Sequence, residues 1–397
     1  MLFPVDKFAS LRTPFYYYDT ELLQQTLDVI AAQLRRRPNY RMHYAIKANA
    51  NPRLLHMISA MGFGADCVSG GEVRVAAENG FAPADIFYAG VGKSDWEIEM
   101  ALDLGIGCFN VESLAELRVI SEIAQRKGVT AHVALRVNPD IGAHTHSNIT
   151  TGLAENKFGI NLEQLEDVLN EALHLPGISY YGLHFHIGSQ ITDMLDFCAL
   201  CNRINDISQQ LQKHDLPVGD INVGGGLGVD YQHPDKAPMA DFESYFDVFR
   251  QHLELVPNQT LHFELGRSIV APCGSLVSRI LYVKEGTVKR FAIVDGSMTE
   301  LIRPALYHAF HYPQNISAEQ EAQQNDGTVS IDRKPLTYDL VGPVCESSDV
   351  FAKAIDLPAC HRGDFIALRT AGAYGETMSS GYNTRPLPQS YFSSDLF

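Results

Sequence analysis

An amine, an imidazole, a glycine-rich turn and a carboxylate each follow a short apolar segment of this sequence. Lys47 ends the segment RMHYAIK, and His186 lies in HFHIGSQ. The turn GGGLG at 224–228 and the segment ELGR at 264–267 follow two later apolar segments. A lysine amine can form an imine with an aldehyde, glycine N–H groups can hold a phosphate, and a carboxylate can pair with a ring nitrogen. Together these groups match the needs of a cofactor that carries an aldehyde and a phosphate.

Each of these signals, taken alone, also has an ordinary structural explanation. A lysine at a strand end can extend into solvent, and His184 and His186 can be hydrogen-bonded core residues. A glycine run can be a plain tight turn, and Glu264 with Arg267 can form a surface ion pair of little energetic value. Their shared position after the first, sixth, seventh and eighth predicted strands favours the cofactor interpretation.

Strand-like and helix-like segments alternate between residues 40 and 265. The eight predicted strands are 41–47, 64–69, 86–89, 107–111, 132–138, 180–187, 220–223 and 260–264. Apolar residues at three- and four-residue spacing predict helices between them, for example at 72–79, 96–104, 113–126, 162–173 and 242–253. Eight such units predict a (β/α)8 TIM-like barrel, although an open doubly wound sheet could use the same elements. In a barrel, reactive groups lie at the carboxyl ends of the strands, and burial there would lower the pKa of a lysine amine.

After residue 267 the pattern changes to strands with little helix between them. The predicted strands are 275–284, 290–294, 337–341 and 364–369. The sequence therefore predicts an α/β plus β fold, with a barrel domain at 25–268 and a mostly β domain formed by 1–24 and 269–397. The segment TPFYYY at 13–18 is predicted to pair with the C-terminal strands. The polar stretch at 317–328 is predicted to be an exposed loop.

Composition argues against several classes of protein. The sequence has 31 Lys and Arg against 47 Asp and Glu, a formal charge of −16, which disfavours nucleic-acid and anionic-membrane partners. No apolar run approaches the roughly 18 residues that a membrane span needs, and the N-terminus lacks the pattern of a signal peptide, so we predict a soluble, cytoplasmic protein. The seven cysteines are scattered, and Cys198 and Cys201 have no second pair, so we expect reduced thiols and no metal.

Four motifs, taken jointly and in order, resemble the fold-type III pyridoxal-phosphate-dependent decarboxylases. They are YAIKAN at 44–49, HFHIGSQ at 184–190, GGGLG at 224–228 and ELGR at 264–267. Three later segments are similar to the diaminopimelate decarboxylases in particular, namely DGSMTELIRPALYHAFH at 295–311, GPVCESSDVF at 342–351 and GAYGETMSSGYNTRPLP at 372–388. The resemblance implies a carboxy-lyase that uses pyridoxal 5'-phosphate to convert meso-2,6-diaminopimelate to L-lysine and CO2, the last step of lysine biosynthesis.

The resemblance also implies a role for each matching residue. Lys47 matches the Schiff-base lysine, His186 the imidazole stacked on the cofactor ring, and Glu264 the partner of the pyridinium nitrogen. Further cofactor contacts are implied for Ser189, Gly225, Gly226, Gly266, Arg267 and Tyr374. Substrate contacts are implied for Arg267, Arg303, Tyr307, Glu346 and Tyr374. Cys345 matches the residue that delivers a proton after CO2 leaves, and in this family Cys345 and Glu346 come from the partner subunit of a homodimer.

Two positions depart from the family pattern. Leu265 replaces the proline that usually stands between the glutamate and the glycine. The segment after Tyr374 reads Gly375-Glu376-Thr377-Met378, where the family more often has an apolar residue and then serine. Leucine can adopt the extended backbone that proline would fix, so the three functional positions of ELGR remain. The polar stretch at 144–156 carries a glycine, and we expect it to form a lid loop.

Three alternatives compete with this interpretation. A decarboxylase of the same fold could act on ornithine, arginine or carboxynorspermidine, but Arg303 and the CESSD segment argue against it. A racemase of related fold needs a second base and usually lacks the Cys-Glu segment. A non-catalytic regulatory homologue would have lost Lys47 or Cys345, and this sequence retains both.

Overall fold

The computed structural model describes residues 3–141, 157–325 and 331–396. The chain divides into two compact units. The barrel unit consists of Leu27–Gly228 and Asp241–Arg267, and the β unit consists of Met1–Thr26, Val229–Ala240 and Ser268–Phe397. The lid loop expected at 144–156 lies outside the described residues.

Eight parallel strands form a closed barrel in the barrel unit. They are Tyr40–Ala45, Gly64–Cys67, Ile86–Tyr88, Cys108–Val111, Ala131–Arg136, Ile178–His184, Asp220–Asn222 and Leu261–Leu265. The last strand pairs with the first, with Tyr44 opposite Leu265. The barrel prediction is therefore confirmed. The strands end earlier than predicted, because Lys47 lies in a 3-10 turn at Ile46–Ala48 and His186 lies two residues beyond its strand.

Helices of the barrel unit follow the predicted periodicity. They are Pro52–Ser59, Gly70–Glu78, Asp95–Leu104, Leu114–Lys127, Leu162–His174, Met194–Lys213 and Phe242–His252, and Thr20–Arg35 leads into them. Ser69 and Ser113 cap their helices by accepting first-turn N–H bonds, and Gly105 and Gly128 end theirs in the left-handed conformation. Cys198 and Cys201 lie on the helix Met194–Lys213. None of the described helices combines the length and apolarity that crossing a membrane requires.

The β unit is built on an eight-stranded sheet. Its strands are Phe15–Tyr18, Gly274–Glu285, Arg290–Val294, Pro313–Asn315, Pro335–Val341, Val350–Pro358, Phe365–Leu368 and Gln389–Phe392. The mostly β second part of the chain is therefore confirmed. Phe15–Tyr18 pairs antiparallel with Gly274–Glu285 and parallel with Gln389–Phe392. Short helices lie at Val5–Phe8, Arg303–Tyr307 and Ser393–Leu396.

The prediction of an exposed loop at 317–328 is wrong for its described part. Residues Ile316–Gln324 form a helix, and the side chain of Asn315 caps it by accepting the N–H of Ala318 at 3.0 Å. Ile316 and Ala318 are buried in its first turn, and Glu321 farther along the helix forms an ion pair with Arg333. Its other residues are polar helix formers, which give no apolar periodicity for a sequence pattern to detect.

The sixth and seventh barrel strands approach each other so closely that only glycine fits at one position. A Cβ on Gly182 would lie 2.0 Å from the carbonyl oxygen of Asp220. We expect Gly182→Ala to lower the melting temperature by several degrees, because overpacking a fixed backbone contact costs about 1–3 kcal/mol. The measurement is thermal unfolding followed by circular dichroism.

Gly92→Ala is the matched control for this substitution. A Cβ on Gly92 meets nothing within 4 Å, so this variant should melt within about a degree of the parent protein. Equal melting temperatures for the two variants would contradict the close approach of the strands.

Candidate active site

Glu264 is the centre of a buried polar group in the barrel. It lies in the last barrel strand and accepts hydrogen bonds from three side chains. His184 Nε2 donates to one carboxylate oxygen at 3.0 Å, and the amides of Asn110 and Asn222 donate to the other at 3.1 and 2.7 Å. A carboxylate has about four acceptor positions, so three protein donors leave room for one more.

The surroundings keep Glu264 ionised. Burial by itself would raise the pKa of this carboxyl group, but the charge and hydrogen bond of His184, the charge of Lys47 and the hydrogen bond of Asn222 together lower its pKa well below the usual range. An ionised carboxylate with one acceptor position left is suited to a protonated ring nitrogen.

Lys47 lies close to Glu264 because the first and last barrel strands are neighbours. Its Nζ donates to Asp66 Oδ2 at 3.1 Å, and Asp66 is buried at the end of the second strand. Burial and the negative charge of Glu264 raise the pKa of Asp66, while Lys47 lowers it by less. The expectation of a buried amine is wrong, since 40% of the Lys47 side chain is exposed. Asp66, rather than burial, holds the amine in place.

His186 is half-buried and lies against the glycine-rich turn. The N–H of Gly225 donates to His186 Nδ1 at 3.3 Å, so the proton of the neutral ring belongs on Nε2. Burial, followed by the charges of Arg136 and Lys47, lowers the pKa of His186 well below its usual value. The ring is therefore neutral at physiological pH, which suits stacking on another planar group.

The glycine-rich turn is joined to Glu264 through the backbone. The N–H of Glu264 donates to the carbonyl of Gly224 at 2.8 Å, and a Cβ on Gly225 would lie 2.0 Å from the carbonyl oxygen of Glu264. Gly226 has φ +112°, a conformation that side chains disfavour. The turn can take this path only with glycine, and its backbone N–H groups can then form a cradle for an anion.

Arg267 and Ser189 extend the same region. Arg267 is buried, and its Nη2 donates to Ser189 Oγ at 3.0 Å. Gly266, between Glu264 and Arg267, packs against the turn that carries Lys47, since a Cβ there would lie 2.9 Å from Cβ of Ala48. The two segments with the amine and the carboxylate are therefore in direct contact.

Several polar residues of this group were missed by the sequence analysis. Asp66 and Asn110 stand inside short strands that are otherwise apolar, and that contrast was the available signal. Asn222 ends a strand that also begins with a polar residue, Asp220, so no such contrast marked it. Buried Lys93 donates to the backbone carbonyl of Asn110 at 2.9 Å and to Glu116 at 2.6 Å. It thereby fixes the segment whose amide reaches Glu264.

A second buried ion pair, also missed, supports the same end of the barrel. Arg136 Nη1 lies 2.9 Å from Glu112 Oε1 at the end of the fifth strand, and both side chains are buried. Glu112 also accepts the N–H of Gly159 at 2.8 Å. The positive charge of Arg136 contributes to keeping His186 neutral.

A cofactor with a phosphate and a ring nitrogen fits this site on two observations. Buried polar atoms of Asp66, Asn110 and His184 have no hydrogen-bond partner among the described residues, and such atoms cost about 1–3 kcal/mol each unless a ligand meets them. The glycine turn, in addition, leaves a cradle that a Cβ would fill. The group of side chains is thus arranged for a polar ligand rather than for a dry core.

The remaining predicted residues belong to the β unit. Arg303 is buried at the start of the helix Arg303–Tyr307, and Tyr307 ends that helix. Cys345 and Glu346 are exposed, and the hydroxyl of Tyr382 donates to Glu346 at 2.5 Å. Tyr374 is half-buried with φ +56°. Lys47, His186, Ser189, Gly225, Gly226, Glu264, Gly266 and Arg267 all lie in the barrel unit.

The two departures from the family pattern have simple structural settings. Leu265 is the last residue of its strand and pairs with Tyr44, so the extended backbone is kept without proline. Glu376 accepts a hydrogen bond from the hydroxyl of Tyr18 at 2.5 Å, within the β unit.

Comparison with known proteins gives consistent matches. Residues 23–271 match the family model described as the pyridoxal binding domain of pyridoxal-dependent decarboxylases. The diaminopimelate decarboxylase of Bacteroides thetaiotaomicron is 56% identical over 395 residues, covering 100% of this chain and 99% of that protein.

Solved structures give the same result. The diaminopimelate decarboxylase of Helicobacter pylori complexed with L-lysine superimposes with a TM-score of 0.89 at 38% identity, covering 98% of this chain and 94% of that one. The corresponding structure from M. jannaschii, also in complex with L-lysine, gives a TM-score of 0.87 at 31% identity, covering 98% of this chain and 89% of that one.

Asn222 links Glu264 to the glycine turn, since it donates to the carboxylate and accepts the N–H of Gly224 at 2.9 Å. We expect Asn222→Leu to weaken binding of pyridoxal phosphate about tenfold or more, because a hydrogen bond to a charged group contributes about 1.5–3 kcal/mol. The measurement is titration of the cofactor followed by absorbance.

Asn205→Leu provides the control. Asn205 also makes two hydrogen bonds, to the carbonyl of His252 and from the N–H of Glu254, but lies half-buried on the helix Met194–Lys213. This variant should bind the cofactor like the parent protein. Equal affinities for the two variants would mean that Asn222 does not organise the site.

Proposed function

This chain belongs to the pyridoxal-dependent decarboxylases, and we propose that within this family it converts meso-2,6-diaminopimelate to L-lysine and CO2. The observation that carries the proposal is the 56% identity, over the whole chain, with a diaminopimelate decarboxylase. This activity would make it the carboxy-lyase of the last step of lysine biosynthesis. A cytoplasmic location stays a prediction from the sequence.

Pyridoxal phosphate, when bound, supplies an electron sink for the charge that a departing carboxylate leaves behind. Glu264 would accept a hydrogen bond from the ring nitrogen, and its low pKa would keep the proton on that nitrogen. Lys47 is the amine that binds the aldehyde carbon, held ready by Asp66. His186 would lie flat on the ring, which its neutral form allows without a charge repelling Lys47.

A further group of residues would bind the phosphate and make the remaining contacts with the cofactor. These are Ser189, Gly225, Gly226, Gly266, Arg267 and Tyr374. The hydrogen bond from Arg267 to Ser189 supports this assignment, because it orients a guanidinium and a hydroxyl toward one common anion.

Substrate selection would depend on the distal end of the molecule. Diaminopimelate carries both an ammonium and a carboxylate there, whereas lysine and ornithine carry only an ammonium. Arg303, with Arg267 and Tyr307, would bind the carboxylate, and Glu346 the ammonium. A substrate without the distal carboxylate would leave the arginine donors unpaired. The enzyme would therefore discriminate against that substrate, by roughly 10⁴-fold in kcat/KM where such sites are well built.

We propose a homodimer in which Cys345 and Glu346 complete the site of the partner subunit. Asp349 anchors their segment, since its buried carboxylate accepts the N–H groups of Val344 at 2.8 Å and Met298 at 2.7 Å. A rigidly held turn that leaves a thiol and a carboxylate exposed is suited to presenting them to a second chain. Cys345 would then donate a proton to the α-carbon after CO2 has left.

The first test is release of CO2 by the purified protein with pyridoxal phosphate. We expect turnover of meso-diaminopimelate and none of lysine, ornithine or arginine, and loss of turnover by at least about 10³-fold in Lys47→Ala, which removes the reacting amine. Turnover of ornithine or arginine instead would leave the chemistry intact but contradict the assigned role of Arg303. No turnover of any of the four would favour a racemase or a non-catalytic homologue.

Mixing two inactive variants tests the shared site. Lys47→Ala and Cys345→Ala should each be nearly inactive. After their subunits exchange, about half of the dimers contain one subunit of each variant, and one of the two sites in each mixed dimer has both Lys47 and Cys345. The mixture should therefore recover roughly a quarter of the activity of the parent enzyme. The control is the double variant Lys47→Ala/Cys345→Ala. Mixing it with either single variant should give no more activity than that single variant has alone. Absence of complementation would contradict a site shared between subunits.

A further inference from the structure

We infer that His311 is a positioning residue that fixes the guanidinium of Arg303 for recognition of the substrate's distal carboxylate. The inference rests on the proposed function, in which Arg303 binds that carboxylate. Arg303 is buried, and its Nη1 donates to His311 Nε2 at 2.8 Å. His311 itself is fully buried, so bulk solvent does not compete for this hydrogen bond.

The second ring nitrogen of His311 determines its protonation state. Nδ1 lies 3.0 Å from the backbone carbonyl of Arg369, which can only accept, so Nδ1 carries a proton. Nε2 must then keep its lone pair, because the guanidinium of Arg303 can only donate. A ring protonated at both nitrogens would lose this acceptor and place a second positive charge beside Arg303. Only the neutral ring with its proton on Nδ1 satisfies both neighbours.

Tyr231 holds the guanidinium from another direction. The Cζ atom of Arg303 lies 4.9 Å from the centre of the Tyr231 ring, a distance typical of a cation–π contact. The same ring contacts His311 edge to face, with the centres 5.2 Å apart. The hydrogen bond from Nη1 and the ring contact together restrict both the position and the plane of the guanidinium.

Arg369 connects Tyr231 and His311, the two residues that hold Arg303. It is 2% exposed, its Nη2 donates to Asp235 at 2.9 Å, and its Nη1 donates to Gln314 at 2.6 Å. Asp235 belongs to the same segment as Tyr231, while the backbone carbonyl of Arg369 holds His311. Tyr231 and His311 are therefore anchored to one buried arginine.

The orientation of Arg303 matters because a carboxylate is bound best by two parallel N–H groups in one plane. Because the guanidinium is planar and rigid, fixing Nη1 also restricts the direction of its other N–H groups. Without His311, the buried guanidinium would lose an acceptor and its preferred plane, and would bind the distal carboxylate less well. The reacting end of the substrate does not contact Arg303 in the proposed function, so the chemical step should be little affected.

The test is a double-mutant cycle on the full-length enzyme with bound pyridoxal phosphate. We expect His311→Leu to raise KM for meso-diaminopimelate about tenfold or more while kcat changes by less than about threefold. His311→Gln should restore most of the affinity, since its amide can accept from Arg303 and donate to the carbonyl of Arg369. In the background of Arg303→Met, which raises KM by itself, His311→Leu should raise KM no further.

His361→Leu is the matched control, since His361 is an exposed histidine of the same unit and this variant should keep the KM of the parent. If His311→Leu does not fold, the cycle is run with Tyr231→Leu, which should raise KM about two- to fivefold and only when Arg303 is present. The absorbance of the bound cofactor should be the same in all variants.

The outcomes separate the two proposals. If Arg303→Met raises KM but neither His311→Leu nor Tyr231→Leu does, or if their effects persist in the Arg303→Met background, the positioning role is overturned and the proposed function stands. If Arg303→Met leaves KM unchanged, or the parent enzyme does not turn over diaminopimelate, the proposed function fails and this inference fails with it.

Discussion

The candidate site in the barrel depends on one buried carboxylate that must remain charged. Taking an ion out of water is expensive, and Glu264 is compensated by three hydrogen bonds from His184, Asn110 and Asn222 and by the charge of Lys47. Two of these donors are held in turn, since Lys93 donates to the backbone carbonyl of Asn110 and Asn222 accepts the N–H of Gly224. A polar interior of this kind stabilises the fold poorly, and its value lies in presenting one ionised oxygen in a fixed direction.

The phosphate cradle follows from the same constraint. The N–H of Glu264 bonds to Gly224, and Gly225 approaches the carbonyl of Glu264 too closely for any side chain. The carboxylate and the glycine turn are therefore parts of one rigid structure, with Asn222 bonded to both. A substitution that moves the turn must also move the carboxylate. This coupling explains why glycine is required here by backbone contact as well as by φ.

The β unit orients a buried cation by the same physical means. Arg303 is held by a neutral histidine and an aromatic ring, and Arg369 anchors both supports through its backbone and through Asp235. In both units an ionised group is removed from water, and hydrogen bonds with neighbouring side chains fix its direction. Hydrogen bonds in a water-poor interior are strong enough to impose such geometry. The proposed enzyme would use one of these groups for the cofactor and the other for the substrate.

Eight short apolar segments separated by helical patterns were enough to predict the barrel, and the order of the motifs indicated Glu264, His186 and the glycine turn. The sequence did not reveal Asp66, Asn110 or His311 as partners, because hydrogen bonds between residues far apart in the chain leave no local pattern. It also predicted a buried Lys47 and a loop at 317–328, where the structure has a partly exposed amine and a helix. Burial and capping depend on which segments pack together, and contacts between distant segments exist only in the folded chain.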